Sequence, residues 1–222
     1  MKNKKLVIIG TGETAHLAYE YFTFDSDYEV VAFSVNKNYI KEKTFLNLPV
    51  VEFENVEKFY PPSEYFVFVA LASGKLNRDR MKMYNLTKEK GYKFASYISS
   101  KAFVWHNVEI GENCFILEDN TLQPFTKVGN NVVMWSGNHL GHRSEIKDNC
   151  FITSHVVICG CSIIEENCFL GVNSAIADYV TIKKDNFIAM GAVVNKKTKE
   201  NSVYIGNPAK RAEISALEYC GV

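Results

Sequence analysis

The sequence predicts an α/β chain in two parts: a small parallel sheet of Rossmann-like type over residues 1–97, then a parallel β-helix with a tail over 98–222. Three observations predict it. The apolar run "KKLVIIG" (4–10) ends in glycine and opens an alternation of strand-like and helix-like segments. An aliphatic residue recurs at every sixth position from Ile98 to Val194. A small or slim residue follows each of these four places later, from Ala102 to Thr198.

In the first part, "KKLVIIG" reads as a buried parallel strand because it is apolar without alternation. "HLAYEYF" (16–22) reads as a helix, and strand-like runs recur at "EVVAFSV" (29–35), "LPVVEF" (48–53) and "YFVFVAL" (65–71). Residues 75–90 read as a helix and "KFASYI" (93–98) as a last strand. Strands alternating with helices imply a parallel sheet. Gly10-x-Gly12-x-x-Ala15 follows the first strand. Glycines there allow a tight turn and let a phosphate approach the amides of a helix N-terminus. The second strand, however, ends in Ser34, Val35 and Asn36, with no acid to hold a ribose. The rest of the chain is committed to the repeat, so a full dinucleotide site is not expected. A half-Rossmann unit that holds a mononucleotide, or serves only as structure, is.

The second part rests on the count of six. Sixteen steps from Ile98 pass through Val104, Ile110, Ile116 and onward to Val194, and none misses an aliphatic residue. If roughly a third of residues are of this type, chance in one register is on the order of 10⁻⁸. Each hexad is one short strand plus a corner, three hexads close a triangular coil, and coils stack at about 4.8 Å. Residues eighteen apart therefore lie above one another. Cys150 under Cys168 then reads as a pair of interior packing positions rather than redox partners. Nothing is inserted between 98 and 198, so no long loop leaves the coil.

The totals exclude several classes. Lysines and arginines number 25 and acids 25. That balance argues against a nucleic-acid or anionic-membrane footprint. The opening "MKNKKLVIIGTGE" is too short in its apolar stretch for a signal peptide, and no run is long enough to span a bilayer. The six cysteines form no CxxC framework, so a reducing cytoplasmic location is expected. Cys159 and Cys161 form a lone CxC that reads as structural, and no metal is expected.

The hexads resemble those of the left-handed β-helix acyltransferases, and "VYIGNPAKR" (203–211) looks like the segment that ends their coils. With the α/β part in front, nearly the whole chain resembles bacterial sugar acyltransferases of the sialic-acid O-acetyltransferase and bacillosamine-pathway N-acetyltransferase type. The resemblance implies a homotrimer, with acetyl-CoA between neighbouring β-helices and a sugar nucleotide held by the α/β part. N-acetylation of a nucleotide-linked amino sugar for surface glycan synthesis is the favoured expectation. O-acetylation of a sugar, or a β-helix that only scaffolds, are the alternatives.

Among the histidines, His142 is third in "LGHRSE" and has Gly160 as its neighbour eighteen residues on. A neutral imidazole can take a proton from an amine or hydroxyl near pH 7, and a glycine one coil away leaves room for a thioester and offers an N–H to the oxyanion. The resemblance likewise puts His142 at the general base and Gly160 at the amide facing the thioester. His139 and His155 read as structural or peripheral; a zinc site built from His139, His142 and His155 is not expected, because their spacings put them on unlike corners. The family's acid after the base is here Arg143, leaving Glu145 or a neighbouring subunit to orient the ring. Phe151 stands where relatives carry a second histidine contacting acetyl-CoA. Gly160, Val172 and Ala189-Met190-Gly191 match the pantetheine channel, and Lys210 with Arg211 could meet a CoA phosphate. For the acceptor, the resemblance points to Gly12, Glu13, Thr14 and Asn36; Arg80 and Asn77, after the fourth strand, are further candidates. Trp135 and Phe125 are candidates for stacking on a sugar ring.

Overall fold

The computed structural model describes residues 2–222. The chain divides into two compact units: one runs up to Ala72 and resumes for Arg80–Tyr97, the other comprises Ser73–Asp79 and Ile98–Val222. The first unit contains β1 (Lys4–Ile9), α1 (Glu13–Phe24), β2 (Tyr28–Val35), β3 (Thr44–Phe45), β4 (Leu48–Glu52), α2 (Val56–Phe59) and β5 (Tyr65–Val69). It ends with α3 (Arg78–Glu89), whose first two residues count with the second unit, and β6 (Lys93–Phe94). The sheet order is β3-β4-β2-β1-β5-β6, parallel except for the β3–β4 hairpin. Central strands are buried on both faces, which is why β1 is continuously apolar. The expected strand over 93–98 is two: β6 pairs with β5, whereas β7 (Tyr97–Ile98) belongs to the coil.

Seventeen two-residue strands, from β7 to β23 (Val193–Val194), build the coil. They form three sheets in which strands eighteen residues apart pair in parallel, as His139 does with Thr121 and Val157. These are the faces of a left-handed parallel β-helix. The first face runs through β7, β10, β13, β16, β19 and β22 and ends in β24 (Val203–Ile205) and β25 (Lys210–Arg211). The second includes Thr121, His139 and Val157; the third, Lys127, Glu145 and Ile163.

The predicted ladder fills the interior. Ile116, Leu122, Leu140, Ile152, Ile164 and Ile176 are all fully buried. Ile98, at the open end with no coil of this unit beneath it, is 39% exposed. From Cys114 to Thr198 the slim residues are buried as well, and polar ones donate to corner carbonyls: Ser144 Oγ to Cys159 O at 2.8 Å, Cys150 Sγ to Glu165 O at 3.1 Å, Cys168 Sγ to Lys183 O at 3.2 Å. Each cysteine thus works as a compact donor, and burial pushes the Cys168 thiol well up.

Every sixth residue from Asn113 to Gly191 has φ between +55° and +77°. Asn, Asp and Gly enter that region readily, whereas other residues cost about 1–2 kcal/mol there. Between the third and first faces the positions are Asn113, Asn131, Asn149, Asn167 and Asp185. Asn113 donates to Asn131 at 2.8 Å and Asn131 to Asn149 at 2.7 Å. Asp185 accepts from Asn167 at 3.1 Å and from Arg78 at 2.5 Å. On the first face Phe151, Phe169 and Phe187 stack with centroids 5.7 and 4.7 Å apart, and Tyr219 of α4 (Ala216–Tyr219) follows at 4.9 Å. Leu76 packs into the same cluster, which is why Ser73–Asp79 belongs with the coil.

Candidate active site

The second and third faces meet at a corner formed by residues 123–126, 141–144, 159–162 and 177–180. The first turn residues of these segments, Pro124, His142, Gly160 and Asp178, stack at eighteen-residue intervals. His142 is exposed and its imidazole lies against Gly160: a Cβ built on Gly160 would sit 2.4 Å from Cε1, 2.8 Å from Nδ1 and 2.9 Å from Nε2. Glycine is required here for space. The His142 N–H donates to Gln123 Oε1 at 2.8 Å, and its carbonyl accepts from Cys161 N–H at 2.9 Å. These bonds fix the turn and leave the ring without a hydrogen bond among the described residues. The Gly160 carbonyl accepts from Tyr179 N–H at 3.1 Å, while the Gly160 N–H has no partner among them. An exposed imidazole beside an uncommitted amide donor is an arrangement that can remove a proton and receive an oxyanion.

The same stacking occurs once more, and comparison separates the two. His155 lies against Gly137, where a Cβ would fall 2.5 Å from its Nδ1. The Gly137 N–H, however, already donates to Glu118 O at 3.1 Å. His155 sits between the first and second faces, and His139 is an outward strand residue of the second face. The described residues contain no group of three or more metal-binding side chains.

Arg143, next to the base, turns onto Phe125 with its guanidinium carbon 4.6 Å from the ring centroid. Glu145 lies on the third face and makes no hydrogen bond to His142 among the described residues. Burial, and then the Asp178 charge, push the Cys159 thiol up, so it is protonated beside the site and no competing nucleophile.

Several expected site residues are placed differently. Phe151 is only 6% exposed, locked in the aromatic stack of the first face, so it cannot line an open channel beside His142. Val172 and Met190 are exposed on higher coils, but at the corner between the first and second faces, not above the base. Trp135 is on that corner too, leaving Phe125 alone of the pair on the corner of His142. Lys210 is exposed past the coil end, whereas Arg211 Nε donates to Ser202 Oγ at 2.9 Å. Arg80 and Asn77 are fully buried, and the Asn77 amide donates to Cys168 O at 3.2 Å. Neither reaches solvent to meet a ligand.

In the first unit, Gly10 has φ +133° and a Cβ there would lie 2.8 Å from Ala70 O. Close approach to β5 explains this glycine without a phosphate. Gly12 caps α1 in open space, with Glu13 exposed and Thr14 half-buried after it. Asn36 donates from Nδ2 to Glu54 Oε1 at 3.2 Å, and Lys37 N–H to Glu54 Oε2 at 3.1 Å. Its own backbone N–H lowers the Glu54 carboxyl most; desolvation opposes this, and Asn36, Lys37 and Lys90 add to the lowering, so the carboxyl lies below the usual range. A carboxylate, Glu54 from beyond β4, thus stands beside the end of β2. No local pattern marks it; only the β2–β4 pairing brings it there.

No family model matches the chain. Over 112 residues, 50% of the chain, it is 25% identical to UDP-3-O-acylglucosamine N-acyltransferase of Methylococcus capsulatus, and it spans 31% of that protein. A mutant perosamine N-acetyltransferase from Caulobacter crescentus, solved in complex with CoA and GDP-perosamine, is similar with a TM-score of 0.83 and 23% identity, over 94% of this chain and 96% of that one. The acetyltransferase domain of PglB from Neisseria gonorrhoeae is similar with a TM-score of 0.84 and 21% identity, over 95% and 100%. At these identities the likeness to the solved structures is one of fold.

Proposed function

We propose that this chain is an acetyl-CoA-dependent N-acetyltransferase acting on a nucleotide-linked amino sugar. The observation that carries the reading is the exposed His142 imidazole packed against Gly160, whose N–H is uncommitted. In this reading the acceptor amine attacks the thioester carbonyl while an imidazole nitrogen of His142 takes its proton. The Gly160 N–H receives the negative oxygen of the tetrahedral intermediate. Its collapse breaks the C–S bond, and the leaving thiolate takes the proton back from the imidazolium. Both substrates are bound together, so no acyl-enzyme is needed.

A homotrimer accounts for the scatter of the donor residues. The outward side of the second face carries uncovered apolar side chains, Phe103 at 53% and Val157 at 40% exposed. With that face turned to a threefold axis, one of its edges meets the opposite edge of the next copy. The His142 corner of one copy would then face Val172 and Met190 of another, with acetyl-CoA between them and Lys210 towards its phosphates. At the first unit, Gly12, Glu13, Thr14, Asn36 and Glu54 share the carboxyl edge of the sheet, where open α/β sheets take nucleotides. Two likenesses support the acceptor class: one solved neighbour holds CoA and GDP-perosamine, and the curated relative is an N-acyltransferase of a UDP-linked glucosamine. A soluble cytoplasmic enzyme is part of the proposal; no helix among the described residues is long and apolar enough to cross a membrane.

The test is thiol release from acetyl-CoA across a panel of nucleotide-linked amino sugars. Loss of the base in His142→Ala lowers kcat by about 10²–10⁴-fold, with an unchanged melting temperature because the side chain is exposed. Full turnover by that variant refutes the mechanism.

A further inference from the structure

The left-handed turn positions differ from corner to corner. One corner holds only Asn and Asp, joined in a hydrogen-bonded ladder, and the corner beside Val172 holds Asp, Gly, Asn and one His. On the corner of His142 the same backbone position is taken by Phe125, Arg143, Cys161 and Tyr179, with φ +63°, +58°, +58° and +60°. None of these four residue types is among those that adopt this conformation readily. Side chains that the fold disfavours thus stand one above another along the single corner that carries the exposed imidazole and the free amide, and backbone strain of this kind clusters at functional sites.

Within this strip Arg143 is the charged member. It is exposed, adjacent in sequence to His142, and makes no ion pair among the described residues. The Phe125 ring 4.6 Å away orients its guanidinium. Asp178 lies two coils higher and Glu145 on the third face. A planar guanidinium held in one orientation, without a carboxylate, is preorganised for an oxyanion and suits it better than a lysine would. It sits about 4.8 Å, one coil, from the level of Gly160.

We propose that Arg143, held on Phe125, binds an anionic oxygen group of the acceptor sugar, beside the amine or hydroxyl that His142 deprotonates. This rests on the acetyltransferase reading and adds the charge of the acceptor to it. Two sources supply such a group: the diphosphate of a nucleotide-linked sugar, or the carboxylate of an acidic sugar.

The experiment compares wild type with Arg143→Asn and Arg143→Lys. Asparagine is at home at positive φ, so Arg143→Asn keeps or raises the melting temperature while it removes the cation. Affinities for GDP-perosamine, GDP and N-acetylneuraminic acid are measured by calorimetry, and KM and kcat by thiol release. Loss of a charge-assisted bond weakens binding about 10–100-fold. A diphosphate source weakens GDP-perosamine and GDP together; a carboxylate source weakens N-acetylneuraminic acid alone. In both cases KM for acetyl-CoA is unchanged and Arg143→Lys recovers part of the loss. Equal affinities in wild type and Arg143→Asn, no binding of any probe by wild type, or a raised KM for acetyl-CoA in place of weaker probe binding overturns the proposal. Probe binding that depends on Arg143 without any thiol release overturns the acetyltransferase reading instead.

Discussion

Replacing Gly160 by alanine places a methyl group where the His142 ring now lies. The added Cβ falls 2.4 Å from Cε1, and ordinary contact begins near 3.4 Å, so the imidazole must retreat by about 1 Å. A displacement of that size at a reacting group costs about 10²-fold in rate, or about 2.7 kcal/mol of transition-state stabilisation. Folding should hardly register it, because the displaced atoms end an exposed side chain that can rotate away. Gly141→Ala is the contrast: its Cβ would meet Gly160 N at 2.6 Å, Cys159 C at 2.7 Å and Ile158 O at 2.9 Å, all backbone. There the coil must open, at about 1–3 kcal/mol of stability. Thiol-release kinetics and thermal melts on both variants separate the effects. A Gly160→Ala enzyme with wild-type kcat, or one that loses as much melting temperature as Gly141→Ala, refutes the argument that this glycine exists to make room for a catalytic ring.

Two further outcomes follow from the coil. Ile152→Ala, at a fully buried rung, costs about 2–5 kcal/mol in denaturant unfolding. At Glu165, burial raises the carboxyl pKa but is outweighed by Lys183 Nζ at 2.6 Å, the Lys184 N–H at 3.1 Å and the Lys183 and Lys147 charges, so the net shift is downward. A depressed folded pKa means stability that is present at neutral pH and lost as pH falls through that value. Melting temperature should therefore drop on the acid side of about pH 4, less steeply in Glu165→Gln; an identical slope in both proteins would show that this pair contributes nothing.

Period six was legible because every coil repeats the same demand, an aliphatic inward and a slim residue at the corner, so seventeen independent positions report one geometry. The stacking of His142 on Gly160 followed from that arithmetic. Arithmetic did not discriminate, however: His155 on Gly137 satisfies the same rule, and what separates them is whether the glycine N–H already has a carbonyl. Phe151 could not be placed by its hexad either, because its outward ring is buried and stacked on Phe169 of the next coil. The burial of Arg80 and Asn77 is hidden for a related reason: residues after a strand end usually face solvent, and here both are buried.

The amino-acid order by itself determined the winding of residues 98–198, the rungs of the interior and the vertical neighbour of every residue, because these depend only on separation along a regular repeat. Tertiary structure alone decided which corner each candidate occupies, that Glu54 stands beside Asn36, and that Arg143 rests on Phe125. Those facts depend on where side chains turn and on which distant strands pair, and separation in sequence carries neither.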